Sequence, residues 1–140
     1  MKILILHLDD QPVSVDWIPD VLFCELVGED EGTLKRVGTY TWEISFKWIK
    51  IVYEIVQNRE SLKNKEQIEI LILDFHVEGK FLKTDELPDT PIKETIVWSA
   101  YPEDARLTFP SPIKVIQKGA RIELIDTLRK TIVDLSRANI

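Results

Sequence analysis

Three aspartates, a serine and a lysine stand directly after short apolar runs, and together they could carry out phosphoryl chemistry. The aspartates are Asp9, Asp10 and Asp74, the serine is Ser99 and the lysine is Lys118. Carboxylates that lie close together repel one another, so a divalent cation is the natural way to keep them ionised. Oxygen ligands favour Mg²⁺, which usually pairs carboxylates with a substrate phosphate. A lysine ammonium and a serine hydroxyl suit that phosphate, as a charge and as a hydrogen-bond donor.

The apolar runs that precede these residues predict strands of a parallel sheet. The runs are Ile3 to Leu8, Ile68 to Leu73, Thr95 to Trp98 and Ile113 to Ile116. Each is rich in isoleucine, leucine or valine, which is typical of strands that are buried on both faces. In open α/β sheets the ligand site lies beyond the carboxyl ends of the strands. We therefore expect the five polar residues to share one crevice.

The segments between the runs predict helices. Apolar residues at helical spacing indicate helices over Trp17 to Leu26, Phe46 to Val56 and Ile122 to Leu135. The prolines between Tyr101 and Pro112 leave room for a further helix of only about two turns. This alternation of strands and helices predicts an α/β domain with a parallel sheet.

The segment from Gly28 to Trp42 fits neither pattern cleanly. Residues 29–32 indicate a turn, and Leu34 to Thr41 predicts a strand at the edge of the sheet. Apolar and polar residues continue to alternate from Tyr40 to Phe46, so the strand pattern overlaps the start of the predicted helix. We place the boundary between the two elements near Trp42.

Composition indicates one water-soluble domain. The 140 residues are 44% hydrophobic and 30% charged, and the net charge of −6 disfavours direct binding to nucleic acid or to an anionic membrane surface. No apolar stretch approaches the roughly 20 residues of a membrane-spanning helix. The single cysteine, Cys24, cannot form an internal disulfide, which favours the cytoplasm. We expect one domain over residues 1–140 and, since the chain ends just after the last predicted helix, no output domain.

In their order and placement, the five polar residues resemble those of the receiver domain of two-component response regulators. The matching segments are ILILHLDDQP with Asp9 and Asp10, IEILILDFHVEG with Asp74, TIVWSAYPED with Ser99, and PIKVIQKGARIELIDTLRKTI with Lys118. The resemblance runs over essentially the whole chain. It implies a doubly wound, flavodoxin-like sheet of five parallel strands in the order 2-1-3-4-5, with helices on both faces.

The resemblance also implies a role for each site residue. Asp74 would be the nucleophile that accepts a phosphoryl group from a histidine kinase, a phosphotransfer protein or a small phosphodonor. Asp10, Asp74 and the backbone carbonyl of His76 would hold Mg²⁺, with Asp9 orienting it through water. Lys118 would neutralise charge on the transferring group.

The resemblance also implies how the phosphoryl group would change partner binding and how long it would stay on Asp74. Ser99 would move to hydrogen-bond the new phosphate, which shifts the population of an active conformation and changes the binding of an unidentified downstream protein. His76 and Tyr101 occupy positions that flank the route of attacking water in this family. Both are bulky, so we expect a self-phosphorylating phosphoacceptor with slow autodephosphorylation rather than a conventional enzyme. His76 could alternatively orient the water.

The sequence departs from the family pattern in several places. Gly119 stands where a proline usually follows the lysine, and the loop Phe75 to Gly79 lacks a proline and is shorter before its glycine. The chain between Asp10 and Asp74 is longer than usual. The short helix before the last strand lies where many receivers dimerise or dock, so a homodimer and the output surface are both left open.

Other interpretations stay open for the function and for single residues. The chain could be a pseudo-receiver that acts as an interaction module without phosphate, or a Mg²⁺-dependent phosphohydrolase with Asp74 as nucleophile. Asp9 and Asp10 could instead cap a helix that begins near Val13. Ser99 could simply turn the chain, and Lys118 could be a solvated strand end.

Overall fold

The computed structural model of the chain describes residues 1–28, 30–63, 65 and 67–138. Residue 29, the first of the expected turn over 29–32, lies outside the described residues. The same is true of residues 139–140 at the end of the chain. The elements in chain order are β1 (Lys2–Leu8), α1 (Ile18–Val27), β2 (Gly32–Gly38), β3 (Thr41–Phe46), β4 (Ile49–Val56), β5 (Ile70–Asp74), β6 (His76–Val77), β7 (Lys80–Phe81), β8 (Glu94–Ser99), α2 (Pro102–Thr108), β9 (Lys114–Gln117) and α3 (Arg121–Ala138). Short 3-10 turns cover Pro12–Ser14, Arg59–Leu62 and Thr84–Glu86.

The main sheet has seven strands in the order β2-β3-β4-β1-β5-β8-β9, and β6 and β7 form a separate two-stranded hairpin. The pairs β4–β1, β1–β5, β5–β8 and β8–β9 are parallel, whereas the pairs β2–β3 and β3–β4 are antiparallel. The prediction of a five-stranded, all-parallel, flavodoxin-like sheet in the order 2-1-3-4-5 is therefore wrong. The sheet is mixed, and it carries two strands more than predicted.

The predicted helix over Phe46 to Val56 is also wrong, because this segment forms the end of β3 and the whole of β4. Ile49, Ile51 and Tyr53 are buried at alternate positions of β4, and β-branched residues favour a strand. Lys47, with φ of 53°, lies in the turn between β3 and β4. Apolar residues also stand between these positions, as Val52 does, so the run fits helical spacing as well and its periodicity could not separate the two structures.

Helices and loops cover the two faces of the sheet unequally. Alternate residues of β1 point to opposite faces: Ile5 joins a cluster with residues of α1 and α3, whereas Leu8 joins a cluster with Leu62, Leu82 and Phe109. The second face is thus covered by the short α2, 3-10 turns and loops. This arrangement differs from the expected doubly wound fold, in which helices pack on both faces.

Several sequence expectations are confirmed. Helices α1 and α3 lie where amphipathic spacing predicted them, and α2 has the expected length of about two turns. Strand β2 lies at the sheet edge, although it ends at Gly38 before the chain turns into β3. Within the described residues, none of the helices combines the length and apolar character needed to cross a membrane.

We expect Ile51→Ala to lower the free energy of unfolding by about 2–5 kcal/mol, because it opens a cavity in the middle of the sheet. Ile51 is fully buried and pairs with Ile3 on one side and Ile44 on the other. Urea unfolding followed by circular dichroism measures the change. Val37→Ala, at an exposed position of the edge strand β2, is the matched control and should change stability by about 0.5 kcal/mol or less. Equal effects at the two positions would contradict the central placement of β4.

Candidate functional site

Parallel strands bring four of the expected site residues to one edge of the sheet. Asp9 and Asp10 follow β1, Asp74 is the last residue of the adjacent β5, and Lys118 follows β9. The Lys118 backbone N–H donates to the Ser99 carbonyl over 2.8 Å, which ties the ends of β8 and β9 together. The carboxyl ends of neighbouring parallel strands thus assemble the site, as the apolar runs predicted.

Three carboxylates form a compact cluster that could hold a metal ion. One oxygen from each of Asp9, Asp10 and Asp74 lies within 4.8 Å of the others. Asp9 and Asp74 are buried, and Asp10 is half-buried. Backbone N–H groups fix two of the side chains: Gln11 donates to Asp9 Oδ1 over 2.8 Å, and Glu78 donates to Asp10 Oδ2 over 2.9 Å.

The ammonium group of Lys118 reaches into this cluster. Its Nζ lies 3.0 Å from Asp74 Oδ2 and 3.6 Å from Asp9 Oδ2. The interpretation of Lys118 as merely a solvated strand end is therefore wrong. A single ammonium balances only part of the charge of three carboxylates, so the site remains negative.

Burial acts against ionisation of the two inner carboxyl groups. Desolvation raises the pKa of Asp74, although the hydrogen bond from Lys118 partly opposes it. Desolvation also raises the pKa of Asp9, opposed chiefly by the hydrogen bond from the Gln11 N–H. The folded chain therefore holds carboxylates whose charges are only partly compensated.

The cluster fits a hard cation. Among the described residues, no hydrogen-bond donor satisfies Asp9 Oδ2, although this oxygen is buried. A buried, unpaired carboxylate oxygen is costly unless it has a charged partner, and Lys118 at 3.6 Å is beyond hydrogen-bonding distance. An oxygen-only donor set of this kind suits Mg²⁺ or Ca²⁺ rather than a softer metal.

The cluster opens into a cavity of about 300 Å³. Its lining includes His76, Gly79, Ala100 and Tyr101 as well as the aspartates and Lys118. His76 is exposed, and its backbone N–H approaches Asp74 Oδ1 only to 3.5 Å. Both residues that were expected to flank the attacking water thus lie at this cavity.

The Ser99 hydroxyl is engaged by the backbone of the residues that follow it. Its side chain is fully buried, and its Oγ accepts a hydrogen bond from the Tyr101 backbone N–H over 2.8 Å. Tyr101 is the residue that precedes the first turn of α2. In this structure Ser99 therefore shapes the entry of the chain into α2.

The alternative in which Asp9 and Asp10 cap a helix near Val13 is wrong. Only a 3-10 turn forms at Pro12–Ser14, its N-cap residue is Gln11, and α1 begins at Ile18. The oxygens of the two aspartates accept from backbone groups outside any helix, as described above. Both side chains instead belong to the carboxylate cluster with Asp74.

Sequence reasoning missed the contribution of the β6–β7 hairpin. Glu78 and Gly79 form its two-residue turn, with φ of 57° and 77°, and Glu78 supplies the N–H that holds Asp10. Positive φ at both central residues is typical of tight hairpin turns. The sequence signal was the glycine in the loop after Asp74, but strands of two residues are too short to show alternation.

No family model matches the chain, and no curated protein is significantly similar to it.

We expect Asp9→Asn to stabilise the metal-free protein at neutral pH. Because burial raises the pKa of Asp9, the folded state retains a proton that the unfolded state releases above about pH 4. The unfolding free energy of the parent protein therefore falls as pH rises through the folded pKa, and the asparagine variant avoids this loss. In thermal melts with EDTA, the variant's melting temperature should exceed the parent's by a margin that grows from pH 4 to pH 7.

Asp126→Asn serves as the control of opposite sign. Hydrogen bonds from Lys130 and Arg129 lower the pKa of the exposed Asp126, so its removal should not stabilise the protein as pH rises. Mg²⁺ should then raise the melting temperature of the parent more than that of Asp9→Asn. A margin between parent and Asp9→Asn that stays constant over this pH range would contradict the desolvation of Asp9.

Proposed function

We propose that this chain is a phosphoacceptor of the receiver type, which takes a phosphoryl group onto Asp74 and thereby switches the binding of a partner. The observation that supports this most is the position of Lys118, whose Nζ lies 3.0 Å from Asp74 Oδ2 beside the carboxylate cluster. A nucleophilic carboxylate, a neighbouring ammonium and further oxygen ligands are the groups that transfer to an aspartate requires.

In the proposed reaction, an oxygen of the ionised Asp74 carboxylate attacks the phosphorus of the donor. A new oxygen–phosphorus bond forms, and the bond from phosphorus to the donor's nitrogen or oxygen breaks. The donor is a phosphohistidine of a histidine kinase or phosphotransfer protein, or a small phosphodonor. Lys118 already engages Oδ2, and Oδ1 makes only the long contact with the His76 N–H, so Oδ1 is the freer oxygen.

The carboxylate cluster supports Mg²⁺ as the cofactor. Asp10 and Asp74 would hold it through their carboxylate oxygens, Asp9 would orient it through water, and the His76 carbonyl would be a further ligand. When bound, Mg²⁺ neutralises negative charge on the phosphoryl oxygens. The Glu78 N–H keeps Asp10 turned towards the cluster, and Lys118 donates its hydrogen bonds to the transferring group.

The switch would act through Ser99. Its Oγ would leave the Tyr101 N–H and donate to the new phosphate, which would change the start of α2. An unidentified downstream protein would read that change. His76 and Tyr101, both at the cavity, would slow the access of water to the phosphate.

The test is intact mass spectrometry of the protein after incubation with acetyl phosphate or phosphoramidate, with MgCl₂ or with EDTA. We expect one added phosphoryl group with MgCl₂, little with EDTA, and loss of the adduct in hydroxylamine, which cleaves acyl phosphates. Absence of an adduct with every donor would overturn the proposal in favour of a phosphate-independent interaction module. Repeated turnover of a generic phosphomonoester would overturn it in favour of a phosphohydrolase.

A further inference from the structure

The β6–β7 hairpin, residues 76–81, begins two residues after Asp74 and folds back beside it. His76 pairs with Phe81 across the hairpin, and the Leu82 N–H donates to the Phe75 carbonyl over 2.8 Å. The hairpin turn also supplies the Glu78 N–H that Asp10 accepts. The position of this short hairpin is therefore tied to the carboxylate cluster.

One half-buried arginine holds the hairpin from outside. Arg59 lies in the 3-10 turn after β4, and its side chain is only 16% exposed. Its guanidinium donates to the carbonyls of Val77 and Lys80, each over 2.6 Å, and to both carboxylate oxygens of Glu86 over 2.6 and 2.7 Å. The Arg59 backbone N–H also donates to Glu78 Oε1 over 3.0 Å. The planar guanidinium group can donate to the two carbonyls and to the Glu86 carboxylate at once, which a lysine ammonium cannot do.

Phe81 packs against aromatic side chains beside the cavity. Its ring centroid lies 4.9 Å from that of His76, 5.5 Å from that of Tyr101 and 4.8 Å from that of Phe75. His76 and Tyr101 line the cavity, so Phe81 packs against two of the cavity-lining side chains. Phe81 is 46% exposed, although hydrophobic burial would favour covering such a ring. Its contacts with His76 and Tyr101 are edge-to-face, and its contact with the Phe75 ring is tilted by 32°.

We propose that the β6–β7 hairpin is a shield for Asp74, in which Phe81 restricts the approach of water and small molecules and Arg59 is the positioning residue. The expected consequence of the shield is a longer lifetime of the phosphoryl group on Asp74, and this consequence rests on the proposed function. The proposal adds Phe81 and Arg59 to His76 and Tyr101, the two residues expected to flank the route of attacking water. The shield acts by excluding water, so side-chain bulk at position 81 sets its effect.

The first measurement is the rate at which the adduct is lost after removal of the donor, followed by intact mass. Phe81→Ala and Arg59→Ala should each accelerate the loss on the order of tenfold, which corresponds to about 1.4 kcal/mol in the barrier. Phe81→Leu, which keeps most of the bulk, should retain the parent rate. Leu107→Ala and Arg106→Ala are matched controls at exposed positions of α2 and should also decay at the parent rate.

The double variant separates positioning from general destabilisation. If Arg59 acts through Phe81, Arg59→Ala with Phe81→Ala should lose the adduct no faster than the faster single variant, because coupled positions are not additive. If the double variant accelerates the loss by the product of the two single accelerations, the positioning role of Arg59 is overturned. An unchanged rate in Phe81→Ala would overturn the shield.

The second measurement does not require phosphorylation. A water-soluble carbodiimide couples glycinamide to carboxyl groups, and peptide mass spectrometry gives the yield at Asp74 relative to the exposed Asp126. Both alanine variants should raise this ratio several-fold. A raised ratio in a protein that forms no adduct supports the shield while the proposed function fails. An adduct with unchanged ratios and lifetimes keeps the proposed function and overturns the shield.

Discussion

Asp74→Asn should take up no phosphoryl group from acetyl phosphate or phosphoramidate in MgCl₂, with a loss of at least about 100-fold against the parent protein. An amide oxygen lacks the negative charge and nucleophilicity of a carboxylate, so the covalent step has no attacking atom. The change should leave the fold intact, because it removes a buried charge that desolvation already disfavours. Intact mass gives the adduct, and a thermal melt of the same sample confirms that the variant is folded.

Asp126→Asn is the matched control for this experiment. Asp126 is an exposed aspartate on α3, and its substitution should leave the adduct yield unchanged. A full adduct on folded Asp74→Asn would show that the phosphoryl group resides elsewhere, and it would remove the proposed role of Asp74. Mapping of the modified peptide would then give the true acceptor.

Lys118→Met should slow formation of the adduct by about 10²-fold while keeping most of the length of the side chain. In the proposed reaction Lys118 places positive charge on the transferring group, and the loss of one such donor typically costs 10²–10³ in rate. The same substitution should move the pH dependence. Because Lys118 lowers the pKa of Asp74, its removal raises that pKa, and the rising limb of the rate against pH should shift to higher pH.

Lys114→Met is the control for this second variant. Lys114 lies on the same strand, β9, and makes an exposed ion pair with Glu94, so neither the rate nor the pH profile should change. Lys118→Arg should recover part of the rate, since it restores the charge with different geometry. A rate loss in Lys118→Met without any shift of the pH profile would contradict direct contact between Lys118 and the reacting carboxylate.

The parts of the site that the sequence could predict are those that follow from burial. Continuous runs of isoleucine, leucine and valine mark parallel strands, and the polar residues directly after them must lie at the same edge of the sheet. This reasoning placed Asp9, Asp74 and Lys118 together, and the structure brings their charged atoms within hydrogen-bonding or ion-pair range. The engagement of the Ser99 hydroxyl by Tyr101 depends on local backbone geometry, which no spacing rule gives.

The parts that the sequence could not predict are those with ambiguous or short patterns. Ile49, Tyr53 and Val56 fit one stripe of a helix, but the apolar residues at every second position of the segment equally fit the buried face of a strand. Tertiary pairing decides between the helix and the strand, because β4 fills the position between β1 and β3. In the β6–β7 hairpin, strands of two residues leave no periodicity, and its main anchor, Arg59, is distant in sequence from its acceptors.

The central position of β1 also determines when the site can exist during folding. Strands β2, β3 and β4 follow one another along the chain and pair through short turns, so their association costs little loop entropy. β1 instead pairs with β4 and β5, and each of these contacts closes a long loop. Asp9 and Asp10 therefore reach Asp74 only once β1 has paired with β5, so the carboxylate cluster forms with a long-range strand pairing rather than with the local association of β2, β3 and β4.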